Sequence, residues 1–316
     1  MLPREKFIRA LERKPITGRV PHFELVFYLT MEVIGKVHPQ HRLFDQYNQM
    51  SVKERRLQLA DIADAYVMIA DKYEHSAIKV QPLPGGIEDT IETLSLLKEK
   101  SDGKYFTMMH GDATYEIPSG NKLEEFIFRL SDEPEKVHEE AAHKVGKALD
   151  KAEKLKKSGV LDGFALCSDY CFNTNPFLSP AMFGEFITPY LAKLTKGYRD
   201  MGYYTIKHTD GNIMPILDQL VQTNPHALHS LDPQAGVDIA EVKRLVGDRV
   251  CLIGNVNCGI LQTGTERDVI DSARYALRHG MPGGGYIFST SNCVYTGMQL
   301  ERYELMLDVW KQEGNY

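Results

Sequence analysis

At 316 residues the chain can bury a large core without disulfide or metal staples. Its 43% hydrophobic and 25% charged residues are those of an ordinary water-soluble protein. A net charge of −6 argues against nucleic acid or an anionic membrane as the main partner. No run approaches the roughly 18 apolar residues of a membrane span, and the amino terminus has no signal-peptide pattern. Five cysteines without regular spacing make no disulfide framework, so a cytoplasmic location is expected.

Pro3 to Lys14 reads as a short helix with Phe7, Ile8 and Leu11 on one face, an amino-terminal extension ahead of the first strand. Arg19 to Phe27 is that strand, and a helix spans Ser51 to Ala70. Tyr73 to Gln81 is the second strand, stopped by Pro82 and a Pro84-Gly85-Gly86 turn, with a short helix or connection from Ile87 to Lys100. Tyr105 to His110 is the third strand, Pro134 to Ser158 a long charged helix, and Leu161 to Asp169 the fourth strand. Ser179-Pro180 supplies an N-cap and a first-turn proline for a helix reaching about Met201. The alternation then becomes regular. Strands Tyr203 to Thr209, Ala227 to Leu231, Val250 to Val256 and Tyr286 to Ser291 are followed by helices Ile213 to Gln222, Ile239 to Val246, Thr265 to His279 and Leu300 to Gln312. Eight such units predict a single α/β domain over residues 1–316, a (β/α)8 TIM barrel with an N-terminal helical extension. The absence of a glycine-rich nucleotide fingerprint after the first strand disfavours a doubly wound sheet.

A barrel of this kind carries its chemistry at the carboxyl ends of the strands. In order, those ends offer Glu24, Phe27 and Tyr28; Lys79 and Gln81; His110 and Asp112; and Ser168, Asp169, Tyr170 and Cys171. The later ends offer His208 and Asp210; Asp232; Asn255, Asn257 and Cys258; and Ser291, Asn292 and Cys293. Several have ordinary readings. Asp232 before Pro233 suits a helix cap, Asn255 and Asn257 suit loop ties, and Cys167 and Cys251 suit packed small hydrophobes. His22, His75, His226 and His229 carry no assigned chemistry. Gly283-Gly284-Gly285 reads as a flexible lead-in to the last strand.

His208 and Asp210 lie two apart, on one face of a strand end. His208, Cys293 and one carboxylate would give zinc three protein ligands and leave a fourth position open, as catalytic sites do. The same residues also suit a hydrogen-bonded His–Asp pair beside an unrelated thiol.

Several stretches resemble the uroporphyrinogen decarboxylase superfamily, which includes zinc-dependent corrinoid (methylcobamide) methyltransferases. They are Ser168-Asp169-Tyr170 with Leu178 to Phe183 and Phe186 to Leu191; Lys207 to Asn212; Gly247 to Val256; and Gly284 to Ser289. Arg4 to Phe7 with Arg19-Val20-Pro21 is similar to the family's amino-terminal signature. The resemblance implies a (β/α)8 barrel. True decarboxylases of the family carry an arginine-rich loop after the first strand, but here Phe23 to Thr30 offers an acid and aromatics, and no arginine lies between Arg19 and Arg42. A substrate with many carboxylates needs convergent cations, so the resemblance is closer to the methyltransferase branch. That branch binds zinc through His-X-Cys and a later Cys. This chain keeps His208 and Cys293 but has Asp210 at the first Cys.

What the resemblance implies is a methyltransferase moving a methyl group between a separate corrinoid protein and a small-molecule thiol or methoxy compound. Zinc would be held by His208, Cys293 and either Asp210 or Glu24, with Asp210 otherwise orienting His208. Asp169 and Tyr170 (with Asp210) would act on the substrate, and Phe27, Tyr28 and Asn255 would face the cofactor at the mouth. Two rivals remain: a metal-independent decarboxylase of a smaller carboxylated substrate, and a non-catalytic barrel that binds a corrinoid or tetrapyrrole.

Overall fold

The fold is a series of β/α units, seen in a computed structural model that describes residues 1–42, 45–120 and 122–316. The first half runs α1 (Pro3–Leu11), α2 (Thr30–Ile34), α3 (Val52–Lys72), β1 (Ala77–Val80), α4 (Gly86–Lys100), β2 (Phe106–His110), α5 (Lys122–Asp132), α6 (Pro134–Lys156) and β3 (Gly163–Cys167). The second half runs α7 (Pro180–Phe186), α8 (Thr188–Asp200), β4 (Tyr204–Thr209), α9 (Leu217–Gln222), β5 (Ala227–Ser230) and α10 (Ile239–Val246). It closes with β6 (Cys251–Val256), α11 (Cys258–Thr263), α12 (Glu266–Gly280), β7 (Tyr286–Thr290) and α13 (Leu300–Glu313). Among the described residues the seven strands are all parallel and follow one another in chain order.

The predicted first strand, Arg19 to Phe27, is reduced to single bridges, yet it still closes the barrel. His22 pairs in parallel with both His75 and Phe288, next to the two edges of the sheet. Ser76 N donates to the His22 carbonyl (2.7 Å) and Phe288 N to the Pro21 carbonyl (2.9 Å). Pro21 has no N–H to donate. Two residues beyond His22, the Glu24 carboxylate rather than a backbone carbonyl accepts from Thr290 N. A continuous ladder therefore ends where that side chain turns inward.

Strand alternation sorts the core into two layers. Ala77, Met108, Ala165, Ile206, Ala227, Cys251, Ile253 and Ile287 fill the barrel, while Ile78, Leu166, Leu228 and Leu252 pack outward against the helices. The N-terminal helix α1 plugs the bottom: Phe7 is fully buried, with its ring 4.8 Å from Phe106 and 5.6 Å from Phe23. Burial of such a ring contributes roughly 1.5–3 kcal/mol.

Other differences have local causes. The single helix expected up to Met201 is two, because Pro189 stands in the first turn of α8, where a missing N–H is tolerated. Pro215 likewise puts a 3-10 turn, Met214–Ile216, ahead of α9. The unpredicted α5 buries Phe126 and Leu130, four residues apart. Among the described residues no helix is long and apolar enough to cross a membrane.

Candidate metal centre

The strand β4 brings His208 to the top of the barrel interior, flanked in register by Cys167 of β3 and His229 of β5. Asp210 follows at its end, and the segment after β3 supplies Asp169. His208 Nε2 lies 3.7 Å from Asp210 Oδ1 and 3.9 Å from Asp169 Oδ1. One donor atom from each of the three residues lies within 4.8 Å of the others, the one such group among the described residues. These gaps are too long for hydrogen bonds. They approach the roughly 3.4 Å that separates ligands around a tetrahedral zinc at about 2.1 Å.

Each donor is held from behind. His208 Nδ1 shares a hydrogen bond with His229 Nδ1 at 2.7 Å. With that proton on His208, its Nε2 keeps a lone pair toward the two carboxylates, and such a second partner is what orients a metal-binding imidazole. Asp210 Oδ1 accepts from Ser230 Oγ (2.8 Å), its Oδ2 accepts from Asn292 Nδ2, and its own N–H donates to Asp169 Oδ1 (3.1 Å). Ser230 is fully buried with φ +91°, a left-handed backbone that a serine adopts only under constraint. Gly211, at φ +81°, passes so close to Cys171 that a Cβ would meet its carbonyl oxygen at 2.5 Å. Only glycine fits there.

The electrostatics favour a cation between these groups. Burial, followed by the charge of Asp169, pushes the Asp210 carboxyl up to about 7, against the hydrogen bond from Ser230. Burial, then His229, Lys207 and Lys79, holds His208 well below its ordinary value, so it is neutral. A lone pair and two carboxylates converge with little to neutralise them.

The other expected residues are placed differently. Glu24 is not among the converging donors. It is fully buried, accepting from Thr290 Oγ1 (2.5 Å) and Ser289 Oγ (3.3 Å), and it reaches His208 only through Ser289 and His229. Burial pushes its carboxyl up to about 8 in spite of these bonds. The folded state therefore keeps a proton that the unfolded chain releases near pH 4.3. Its contribution to stability is fully present below that pH and is lost as pH rises toward 8. Glu24→Gln should flatten the fall in stability between pH 5 and 8, measured by urea unfolding; an unchanged slope would show that Glu24 ionises freely.

Cys293 also stands outside the donor group. Burial pushes its thiol up strongly, with the charges of Cys258 and Asp210 adding to the effect and Lys79 opposing it, so it neighbours the cluster without joining it. Tyr170 is fully buried and turned to other partners than the cluster. Its ring covers Lys207 Nζ at 3.9 Å and its hydroxyl meets Thr114 Oγ1 at 2.5 Å, behind the barrel wall. Phe27 is buried against Tyr73 and Tyr303 rather than at the mouth. Tyr28 does reach the rim, stacked on His41 and bonded to Gln40. Asn255 ties loops: its amide donates to the Leu231 carbonyl at 2.9 Å, and it borders an outer groove that contains none of Asp169, His208 and Asp210. Asn257 caps α11, and Asp232 caps the turn Pro233–Ala235.

Sequence reasoning missed three contributors: Asp169 as a donor, His229 as the support of His208, and Lys207. The register of β4 and β5 makes His229 a neighbour of His208, and a lysine inside an apolar strand was the visible sign of a buried ion pair.

Comparison with known proteins gives a consistent fold. The family model described as Uroporphyrinogen decarboxylase (URO-D) matches residues 137–313, more than half of the chain. Two curated relatives, both called uroporphyrinogen decarboxylase, come from Thioalkalivibrio sulfidiphilus (29% identical over 147 residues) and Photobacterium profundum (27% over 141 residues). The matches cover 43% and 42% of this chain but only 39% and 37% of those proteins. Among solved structures, a methyltransferase from Methanosarcina mazei superposes with a TM-score of 0.75 over 99% of both chains at 15% identity. A GH5_18 protein from Bifidobacterium longum subsp. infantis gives 0.52 at 11% identity, over 95% of this chain and 80% of that one.

Proposed function

The chain belongs to the uroporphyrinogen decarboxylase family, and from that premise we propose that it is a zinc-dependent methyltransferase. It moves a methyl group between a corrinoid carried by a partner protein and a small thiol or methoxy compound. The observation that carries this reading is the convergence of Asp169, His208 and Asp210 at the carboxyl rim. A decarboxylase acting on a polycarboxylate is disfavoured by the cations at hand. Arg19 is paired with Glu74 and Arg42 with Asp61, and no arginine lies between them.

In this reading His208 Nε2 and the two aspartates would hold the zinc, which would supply Lewis acidity to activate a thiol or polarise a methyl donor. One imidazole and two carboxylates are harder donors than thiolates, which suits polarisation of an oxygen-bound methyl group as well as a thiol. His229 fixes the ring of His208, and Ser230 and Asn292 fix Asp210. Asp210 must lose its proton to bind a cation, so occupancy rises with pH through about 7. Tyr28 lies on the rim where a corrinoid-bearing partner would cap the mouth. The five unpaired cysteines support a reducing, cytoplasmic setting.

Protein purified without chelators should carry close to one zinc per chain by elemental analysis, and should either demethylate methylcobalamin with a thiol acceptor from a panel or methylate cob(I)alamin from a methoxy donor. Protein that holds no metal and takes up none on titration with zinc would sink the proposal.

A further inference from the structure

Across the interior from the metal cluster stands a group of donors without a protein acceptor, two of them half-buried and one buried. Lys79 lies on β1, two residues beyond the inward-facing Ala77 and in register with inward-facing Met108. Among the described residues, neither the Lys79 side chain nor that of His110, at the end of adjoining β2, makes a hydrogen bond or ion pair. Gln81, two residues past Lys79 and 5% exposed, has an amide nitrogen that is buried without an acceptor. Buried donors without partners are uncommon, because they forgo the bonds that water would give them. Lys79 also borders a cavity of about 30 Å³ with Glu24, Thr30 and His38, enough for a water molecule or two.

The ammonium acts over the whole mouth, opposing protonation of His110, His208 and His229 and favouring the thiolates of Cys167 and Cys293. The acids around them are committed elsewhere, Asp169 and Asp210 to the cluster, Glu24 to Thr290 and Asp112, which faces His110, to Lys207. With the His22 segment as the eighth stave, β1 and β4 stand on nearly opposite sides of the barrel.

We propose that Lys79, Gln81 and His110 form a subsite for a single oxyanion, a carboxylate or sulfonate, on the small substrate whose reacting group lies at the His208 cluster. This rests on the methyltransferase reading for what happens at the other end of the substrate, but the subsite itself can be tested without turnover. One lysine presents a point charge, suited to one oxyanion rather than to a polycarboxylate. A charge-assisted bond in a partly desolvated pocket should discriminate an acid from its neutral amide by about tenfold or more.

Calorimetry with 3-mercaptopropionate, 3-methoxybenzoate and methanesulfonate, and with the two corresponding amides, reads this directly. The wild-type protein should bind at least one of the acids, and a carboxylate that binds should do so about tenfold or more tightly than its amide. Binding of methanesulfonate in place of the carboxylates would assign the subsite to sulfonates. Lys79→Met should erase the preference while leaving amide binding unchanged, which shows an intact pocket, and Lys79→Arg should restore most of it. Equal binding of acid and amide by the wild-type protein, an undiminished preference in Lys79→Met, or no binding of any acid at tens of millimolar would overturn the subsite. Discrimination without methylcobalamin turnover would keep the subsite and reject the methyltransferase; turnover without discrimination would do the reverse.

Discussion

Replacing His208 with alanine should strip zinc from the protein and abolish methyl transfer while the fold survives. The imidazole sits at the top of β4, above Ile206 in the barrel core, and its polar partners among the described residues are His229 and the two aspartates. Its loss removes the one nitrogen donor and leaves two carboxylates that repel each other. Affinity should therefore fall by more than the roughly 10–100-fold that removal of a supporting residue costs. His229→Ala, which frees the ring of His208 without deleting it, should fall within that smaller range. The third donor separates the structure from the expectation drawn from sequence. Asp169→Asn should lower zinc stoichiometry sharply and Cys293→Ser should leave it near one, because Asp169 converges on His208 and Cys293 does not. Zinc lost from Cys293→Ser but retained in Asp169→Asn would reverse that assignment. Elemental analysis after dialysis, with circular dichroism as the control for folding, reads all four variants.

The chain shows which parts of such a site a sequence reveals. Strand ends were legible because barrel strands are apolar runs closed by turn residues, so His208, Asp210 and Asp169 stood out as polar groups at the rim. The helices were legible for the same reason, and Ile239–Val246 falls where its periodicity puts it. What could not be read was which polar groups face one another. Cys293 and Glu24 have suitable chemistry and positions near the rim, yet one lies outside the converging group and the other is engaged by Thr290. Tyr170 follows Asp169 directly, yet its ring packs over Lys207 and its hydroxyl meets Thr114. His229 carried no signal of its own, because a lone histidine in a strand usually fills space. Only the register of β4 and β5 reveals that it touches His208. The first strand failed for a related reason, since its ladder is interrupted where the Glu24 side chain takes the place of a backbone carbonyl, which no propensity records.

Lys207→Met should cost the fold about 3–5 kcal/mol, the range for removing one partner of a buried ion pair. The Lys207 ammonium is completely buried, donating to Asp112 Oδ2 (2.8 Å) and to the carbonyls of Ser168 (2.8 Å) and Leu166 (3.2 Å), with the face of Tyr170 over it. Asp112 in turn accepts from Thr114 N, Thr114 Oγ1 and Ser168 N. Burial by itself would push the Asp112 carboxyl up. The charge and hydrogen bond of Lys207, with those of Thr114, outweigh it and hold that carboxyl well below the usual carboxylate range. A depressed carboxyl contributes stability that is present above about pH 4 and is lost as pH falls further. The wild-type protein should therefore lose stability steeply in acid, and Lys207→Met should lose it already at neutral pH, where Asp112 is left charged and unpaired. The double variant Lys207→Met with Asp112→Leu should recover part of the loss, since an apolar pair of similar volume removes the uncompensated charge. Because the ion pair anchors the backbone on both sides of Cys167, next to Asp169, zinc affinity should drop in both variants even at temperatures where they remain folded. Urea unfolding at pH 7 measures the first effect and zinc titration the second. A loss below about 1 kcal/mol would place Lys207 among the pairs whose desolvation cancels their attraction, and unchanged zinc affinity would free the Asp169 segment from this anchor.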